Sequence, residues 1–464
     1  MFRYIIGISL LLGGAPFSYA QDWQQVGNIN QPVDCQYVDT ASGSLYVGGP
    51  FRYFNGISVN GLFSMRNDSV FRLGSGQDFC ATYNCTPIKS IIRYKDEHYV
   101  SWTNPTIGGG VQVNGIARWD GANWHSLTDR VKSCTANGFL VQDSILYVMG
   151  GLNIQSDTGR IHGIAKWDGE KWEALNFPVY EGSTPLGGCA AFYKNELYFG
   201  GGYQFGLPTG GFVLDITRFD GTKWYLVGDG IQGGVWRGVL DLVVYKGELY
   251  ACGYFRQDAG NAGNKIMRWD GIKWKDVGGG ICDPFATLDD MVVQDGKLYV
   301  VGLFDCVGDG IPAHGIASWD GERWCSCGNS VFDNKITNIA FYNNDLYIGG
   351  GFTAIDGQPV KYFAKWIGDH ATDTCSAAIS AAPEPFSTSS PTMRLSPNPA
   401  SGQVTVTLSS TSSTGLLRIV NLLGATVREV QVSGSQTRLN IADLPVGVYA
   451  VQYVSEDVVR GVER

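Results

Sequence analysis

Five aspartates recur in one short motif, which makes them the first candidates for acid–base catalysis or calcium binding. The motif is an aromatic residue, Asp-Gly, two variable residues and a tryptophan, as in WDGERW at Trp319–Trp324. Its aspartates are Asp120, Asp168, Asp220, Asp270 and Asp320. Asp-Gly between apolar runs is typical of a hairpin turn with positive φ at both residues. Aspartates at equivalent turns of a repeat cannot converge on one substrate, so the motif predicts a structural turn flanked by packed aromatics.

Histidines and cysteines give no convergent catalytic or metal-binding set. Of the five histidines, His162 and His314 occupy the same position of the repeat described below, which favours a structural role. The spacing of the eleven cysteines fits no zinc site. We therefore predict no metal and no cofactor.

The N-terminus predicts export. Arg3, a short apolar run from Ile5 to Leu12 and Ser-Tyr-Ala before Gln21 are typical of a secretory signal, here residues 1–20. The apolar run is too short to cross a bilayer, and we predict no transmembrane segment elsewhere. Export permits disulfides, with at least one cysteine left over. The sequence does not fix their connectivity; the first candidate pairs are Cys80 with Cys85 and Cys282 with Cys306.

A repeat organises most of the chain. Sequences related to LYVGG recur, with their tyrosines spaced by 48 to 53 residues at Tyr46, Tyr99, Tyr147, Tyr198, Tyr250, Tyr299 and Tyr347. In each unit an apolar run, a polar turn and the LYxxG run precede a Gly-rich loop, GIAxWD and a final Trp-containing run. This order predicts four antiparallel strands, A to D, and units of this length repeated radially are typical of a β-propeller.

The ends of the repeat predict a closed ring. The seventh unit has no strand D, and the DWQQVG sequence around Trp23 supplies one. Pairing the two would remove an open sheet edge. We predict an all-β fold with a seven-bladed propeller of four-stranded blades at residues 21–368. A flexible linker rich in Ala, Ser, Thr and Pro at 369–392 and a small domain at 393–464 follow.

The double glycine after an apolar strand, with later Tyr and Trp, resembles kelch-type propellers. The resemblance is closer to secreted bacterial proteins with WDG..W and LYVGG.F repeats. It implies the fold but no function, because such propellers include enzymes and binding modules. A copper radical oxidase of this type would need converging Cys, Tyr and His residues. His98, His125 and His370 lie at unrelated positions of the repeat, which argues against that activity.

Two carboxylates of strand A lie where the strands line the central channel. Asp241 and Asp290 come nine residues before the key tyrosines of blades 5 and 6, and Asn338 matches them in blade 7. The position allows a bound cation or an acid–base pair. It equally allows hydrogen bonds to neighbouring backbone in the channel wall, which is the interpretation that we favour.

Positions at which the repeat breaks are the better guide to a ligand site. Trp102 replaces a glycine that six blades share, and irregular loops carry Phe205, Trp236, Arg237 and Phe285. The D–A and B–C connections of a propeller share one face, so these residues are expected to gather there. Aromatic side chains on such a face suit stacking on sugar rings or peptide side chains. The alternative for each residue is packing within its loop.

The last 70 residues carry a Pro-Asn-Pro start, a central glycine and a Gly-x-Tyr run near the end, at Pro397, Asn398, Pro399, Gly424, Gly447 and Tyr449. In this pattern they resemble the C-terminal sorting domain of the type IX secretion system of Bacteroidetes. Their short alternating runs predict a small Ig-like β-sandwich. The resemblance implies that the type IX secretion machinery is a partner. It also implies a protein that is secreted or attached to the outer cell surface.

These observations favour a binding or adhesion module that recognises a glycan or protein through its D–A/B–C face. The net charge of −9 argues against nucleic acid and anionic membranes as partners. One alternative is a carbohydrate-active hydrolase or lyase, which two carboxylates about 5–10 Å apart in a face pocket would favour. Another is a structural surface-layer protein. We expect a monomer.

Overall fold

The computed structural model describes residues 4–5, 22–74, 87–102, 106–107, 111–127, 130–157, 159–177, 186–206, 212–232, 238–283, 285–328, 330–368, 393–396, 402–408, 414–421, 426–445 and 448–455. The chain forms two compact units, Ala20–Ser380 and a second made of Met1–Tyr19 with Ala381–Arg464. Strands dominate both. Among the described residues the helical structure is one 3-10 turn, Gln257–Ala259. No helix in these ranges is long and apolar enough to span a membrane.

Seven four-stranded antiparallel sheets form the first unit, which confirms the predicted seven-bladed propeller. Strands A to D are as follows. Blade 1 has Cys35–Asp39, Ser44–Gly48, Leu62–Arg66 and Ser69–Arg72; blade 2 has Ser90–Tyr94, Glu97–Ser101, Ile116–Trp119 and Trp124–Ser126; blade 3 has Val131–Gln142, Ile145–Ser156, Gly159–Trp167 and Trp172–Ala174; blade 4 has Leu186–Tyr193, Glu196–Gly206, Phe212–Phe219 and Trp224–Leu226. Blade 5 has Gly238–Tyr245, Glu248–Tyr254, Ile266–Trp269 and Trp274–Lys275; blade 6 has Thr287–Gln294, Lys297–Leu303, Ile316–Trp319 and Trp324–Ser326; blade 7 has Ile336–Tyr342, Asp345–Gly350, Phe363–Trp366 and Trp23–Gln25.

The ring closes through the N-terminal strand. Trp23–Gln25 pairs antiparallel with strand C of blade 7, and Trp23 lies opposite Trp366. The Trp23 side chain is fully buried, and its ring meets the Trp366 ring edge-on with 4.9 Å between centroids. Blade 7 therefore combines the two ends of the propeller sequence, as predicted.

The Trp-Asp-Gly motif forms the C–D turn, and its aspartate is structural. In blade 6, Asp320 Oδ1 accepts hydrogen bonds from the backbone N–H of Glu322 at 2.8 Å and of Arg323 at 2.7 Å. Asp120, Asp168, Asp220 and Asp270 accept the equivalent pair. The expected turn type was wrong, because only the glycine of the motif has positive φ. The aromatic pair flanks a four-residue loop, as in Trp319 opposite Trp324.

The second tryptophan of the motif also ties its blade to the preceding one. The Trp324 Nε1–H donates to the Val277 carbonyl at 2.7 Å, and Trp274 donates to Val227 at 3.1 Å. Lysines of the A–B turns make a similar latch, since Lys194 Nζ donates to the Asp270 carbonyl at 2.8 Å. The face that carries the A–B and C–D turns is therefore cross-linked from blade to blade.

On the opposite face, small hairpins extend the B–C connections of four blades. They are Tyr53–Phe54 with Ile57–Ser58, Thr106–Ile107 with Val111–Gln112, Cys306–Val307 with Ile311–Pro312 and Ala354–Ile355 with Gln358–Pro359. Three of them bridge to the preceding D–A segment. In blade 7, Asp333 of this segment accepts the N–H of Thr353 at 2.7 Å. The paired loops give this face a fixed rim.

The second unit is a two-sheet sandwich. One sheet contains Met393–Ser396, Gln403–Leu408 and Gln436–Asn440, and the other contains Thr414–Asn421, Thr426–Ser433, Val448–Ser455 and the parallel-paired Tyr4–Ile5. Val404, Val406 and Leu439 from the first sheet share a buried core with residues of the second, including Leu417 and Ile419. Tyr4–Ile5 belongs to the stretch that the sequence predicts to be a signal.

Candidate functional site

Asp241 and Asp290 lie in a belt of contacts between strands A. Each follows an irregularity in the pairing of strands A and B, as does Asn338. Asp241 Oδ2 accepts the N–H of Met291 in blade 6 at 3.0 Å, and Asp290 Oδ2 accepts the N–H of Ile339 in blade 7 at 3.0 Å. Both carboxylates thus bond backbone of the next blade, which is the interpretation favoured from the sequence.

The two carboxyl groups of this belt also meet each other. Asp290 Oδ1 shares the Met291 N–H with Asp241, at 2.9 Å. Burial raises the pKa of Asp241 to about 6. Burial and the Asp241 charge raise the pKa of Asp290 well above its ordinary value. A pair of this kind releases its protons at higher pH than free carboxyl groups do. Its oxygens accept the backbone N–H groups of Leu242, Met291 and Ile339.

Among the predicted ligand-binding residues whose side chains the structure describes, Phe285 is the one that is mostly exposed to solvent. It is 89% exposed and lies on the D–A segment that enters blade 6. Its backbone N–H donates to Asp283 Oδ1 at 2.8 Å. The Cys282–Cys306 disulfide joins the same segment to the B–C hairpin of blade 6. This is one of the two candidate pairs named from the sequence, and it ties the loop that carries the aromatic side chain to the hairpin.

Trp102 does not belong to an open site, and this expectation was wrong. Its side chain is fully buried, in a cluster that includes Leu73, Ile88 and Val113. The backbone N–H of Trp102 still donates to the Gly115 carbonyl, as the backbone N–H of Gly302 donates to the Gly315 carbonyl in blade 6. The backbone role of the shared glycine is kept, while the indole fills the space between blades 1 and 2.

The other predicted residues are placed only in part. Trp236 and Arg237, as well as Cys80 and Cys85, lie outside the described residues. Phe205 lies in strand B of blade 4, Glu196–Gly206, but its side chain is outside the described part. In the sorting motif, Tyr449 is buried and donates from its hydroxyl to the Pro445 carbonyl at 2.9 Å. Pro397, Asn398, Pro399, Gly424 and Gly447 lie outside the described residues.

Charged side chains lie at the starts of strands A in blades 1, 2, 6 and 7. Lys335 Nζ donates to Asp289 Oδ1 at 2.7 Å, and Thr287 donates to Asp289 Oδ2 at 2.6 Å. Burial raises the pKa of Asp34, against the opposing charges of Lys89 and Lys335. Within the described ranges, no group of three or more His, Cys, Asp or Glu residues is arranged to hold a metal ion.

Sequence reasoning missed two substitutions in the repeat. His98 stands where the other six blades have leucine, and it is buried with Asp39. The Nε2 atom of His98 and the guanidinium of the half-buried Arg93 each lie 3.1 Å from Asp39 Oδ2. Although burial opposes ionisation, hydrogen bonds from Ser42, Arg93 and His98 lower the pKa of Asp39 to about 2. Lys265 stands where four blades have glycine, as do Asp215 in blade 4 and Tyr362 in blade 7, and all three have positive φ. Aligning the blades position by position would have found both.

Comparison with known proteins identifies the C-terminal part. Residues 394–460 match the family described as the secretion system C-terminal sorting domain. The protein is exported by type IX secretion. Its destination is therefore the cell surface or the extracellular space, and it carries a propeller there. No curated protein matches the chain significantly in sequence. The resemblance to kelch-type repeats stays a prediction.

Solved structures match the chain at low similarity. YjhT is 15% identical, with a TM-score of 0.32, over 48% of this chain and 75% of its own. PorZ, a surface component of the type IX secretion system of Porphyromonas gingivalis, is 9% identical, with a TM-score of 0.27, over 94% and 81%. The propeller domain of the Trilobed protease from Pyrococcus furiosus is 10% identical, with a TM-score of 0.36, over 74% and 94%. Similarities at this level transfer no function.

Proposed function

We propose that the propeller is a binding module that recognises a glycan or protein at the cell surface through its D–A/B–C face. The observation that supports this most is the exposure of Phe285 on a loop fixed by a disulfide and an aspartate turn. Leaving a Phe side chain in water forgoes about 1.5–3 kcal/mol of burial. A preorganised aromatic contact lowers the ordering cost of binding.

The belt carboxylates support binding over hydrolysis. A glycosidase needs two carboxylates that reach the scissile bond from an open cleft. Asp241 and Asp290 instead accept backbone N–H groups of the next blades. They hold the ring together, and no acid–base step is assigned to them.

A glycan array and a pull-down with the full chain test this function. Phe285→Ala should weaken binding of any retained ligand about tenfold or more, the range for an aromatic hot spot. Ile272→Ala is the matched control, because Ile272 is an equally exposed apolar side chain at 85% but lies in the C–D turn of blade 5, on the other face. Equal binding by both variants, or retention of no ligand at all, would contradict the proposal.

A further inference from the structure

Two loop segments of blade 6 run side by side on the D–A/B–C face. The backbone N–H of Cys282 donates to the Cys306 carbonyl at 3.3 Å, and the disulfide joins the same two residues. Closer to the sheet, Thr287 pairs with Leu303, at the start of strand A and the end of strand B. Phe285 lies between these two contacts in its segment, so the backbone that carries it runs directly beside Leu303.

Three apolar side chains are exposed on this pair of segments. Phe285 is 89% exposed, Leu303 46% and Ile311 37%. Ile311 belongs to the same unit because it pairs with Val307, which in turn forms a bridge with Ile281 of the D–A segment. Single exposed apolar residues are ordinary on a protein surface, whereas several on one fixed unit mark an interaction surface.

The leucine of this unit is a departure from the repeat. The residue four positions after the key tyrosine is Leu303 in blade 6 and glycine in blades 3, 4 and 7, as Gly151, Gly202 and Gly351. In blade 4, Gly202 still pairs with strand A, as Leu303 does in blade 6. The pairing of strands A and B therefore needs no side chain at this position, and the fold does not account for an exposed leucine there.

The B–C hairpin of blade 6 carries an additional carboxylate at its tip. Three residues, 308–310, separate its two strands, whereas two residues do so in blades 1 and 7. In blade 7 the turn aspartate, Asp356, accepts the backbone N–H of Val331 at 2.8 Å. Asp309 has no such role. It is exposed, and its carboxylate makes no hydrogen bond or ion pair with any residue that the structure describes.

Acidic side chains predominate around the exposed apolar residues. In the described D–A and B–C loops of blades 6 and 7, the exposed charged residues are Asp305, Asp309, Asp333, Asp356 and Lys361. Four of these five side chains are acidic, and the net charge of the whole chain, −9, has the same sign. A surface of this kind attracts a basic partner and repels an acidic one.

We propose that Phe285, Leu303, Asp305, Asp309 and Ile311, the blade-6 patch, dock a protein segment in which apolar side chains are flanked by lysine or arginine. An apolar centre with a charged rim is the usual anatomy of a protein–protein interface. A glycan fits less well, because a sugar ring stacks on an aromatic face and two of the three apolar side chains are aliphatic. The inference rests on the proposed function and specifies the class of its partner.

The test uses the full chain and three labelled dodecapeptides, which alternate Leu with Lys, Leu with Glu, or Ser with Lys. Fluorescence anisotropy should show the Leu-Lys peptide binding about tenfold or more tightly than either of the others, because it alone offers both apolar and basic side chains. Leu303→Ser should weaken its binding about fivefold or more through lost apolar burial. Asp309→Asn should weaken it about twofold to fivefold, the range for an exposed ion pair, and should reduce its salt dependence.

Two variants on the other face of the propeller are the matched controls. Ile272→Ala shortens an exposed apolar side chain in the C–D turn of blade 5. Glu322→Gln removes an exposed carboxylate in the C–D turn of blade 6, and with it the same charge as Asp309→Asn. Neither should change the affinity for the Leu-Lys peptide.

The outcomes separate this inference from the function beneath it. Equal binding of the three peptides, tighter binding of the Leu-Glu peptide, or a preference that survives both patch variants overturns the docking site. An equal loss in Asp309→Asn and Glu322→Gln also overturns it, because net charge alone would then attract the peptide. A glycan whose binding falls in Phe285→Ala but not in Leu303→Ser would overturn it and leave the binding function standing. No effect of Phe285→Ala on any ligand would remove the function itself.

Discussion

At the scale of single residues, recurrence across the units of the repeat was a reliable sign that a polar residue has a structural role. Five aspartates in identical motifs were interpreted as turns, and all five accept local backbone N–H groups. Departure from the repeat was less reliable. The sequence cannot tell whether a substituted aromatic faces solvent or fills a gap, so the fully buried Trp102 and the exposed Phe285 looked alike. Only packing across blades separates them.

Replacing the motif aspartate should cost stability without changing the fold. Asp320→Ala leaves the N–H groups of Glu322 and Arg323 without their acceptor. We expect a loss of about 0.5–2 kcal/mol in the free energy of unfolding, the range for removing an aspartate that caps backbone donors. Denaturant unfolding measures it. Glu322→Ala in the same turn is the control and should change little, and an equal loss in both variants would argue against the turn role.

At the scale of elements, hydrogen bonds between neighbouring blades set the geometry. Strand order, turn positions and the A to D pattern followed from the sequence. The type of turn did not. Two consecutive residues with positive φ occur in A–B turns such as Lys95-Asp96 and Asn343-Asn344, whereas the Asp-Gly turn is a longer loop in which only the glycine has positive φ. The belt that links Asp241 to blade 6 and Asp290 to blade 7 involves backbone that sequence patterns do not reveal.

The belt predicts a loss of stability as the pH rises. Burial raises the pKa of Asp241 to about 6 and raises that of Asp290 well above its ordinary value. A raised pKa favours the folded state fully below the unfolded value, near 3.8, and that contribution is lost as the pH rises through the folded pKa values. Thermal unfolding between pH 5 and 8 should therefore give a falling Tm.

The Asp290→Asn variant tests whether the Asp241–Asp290 pair causes this pH dependence. Asparagine stands naturally at the equivalent position of blade 7, as Asn338, and its oxygen can still accept the Ile339 N–H. The variant keeps one titrating carboxyl and loses the charge repulsion, so its Tm should fall less steeply above pH 6. Glu322→Ala, an exposed carboxyl removed elsewhere, should follow the parent profile. A variant profile parallel to that of the parent would rule out the pair as its source.

At the scale of the whole molecule, the number of blades and the closure were predictable because both depend on local patterns. The missing strand D of blade 7 and the surplus strand at Trp23 are visible in the sequence, and the structure pairs them. The proposed ligand face was not predictable to the same degree. It lies on D–A and B–C loops, whose sequences follow no period, and Phe285 was found only as an irregularity.

Closure through three residues makes the ring depend on Trp23. This side chain is fully buried between Trp366 and Phe332, with ring centroids 4.9 and 5.7 Å away. Trp23→Ala should lower stability by about 3–5 kcal/mol, the cost of removing a large aromatic from a core. Because this strand pairs with strand C of blade 7, its loosening exposes the edge of strand C and should also raise self-association.

Calorimetry measures the loss of stability, and light scattering measures the self-association. Gln24→Ala, on the exposed side of the same strand, should change neither; a similar loss in both variants would show that backbone pairing, and not the Trp23 side chain, holds the ring closed.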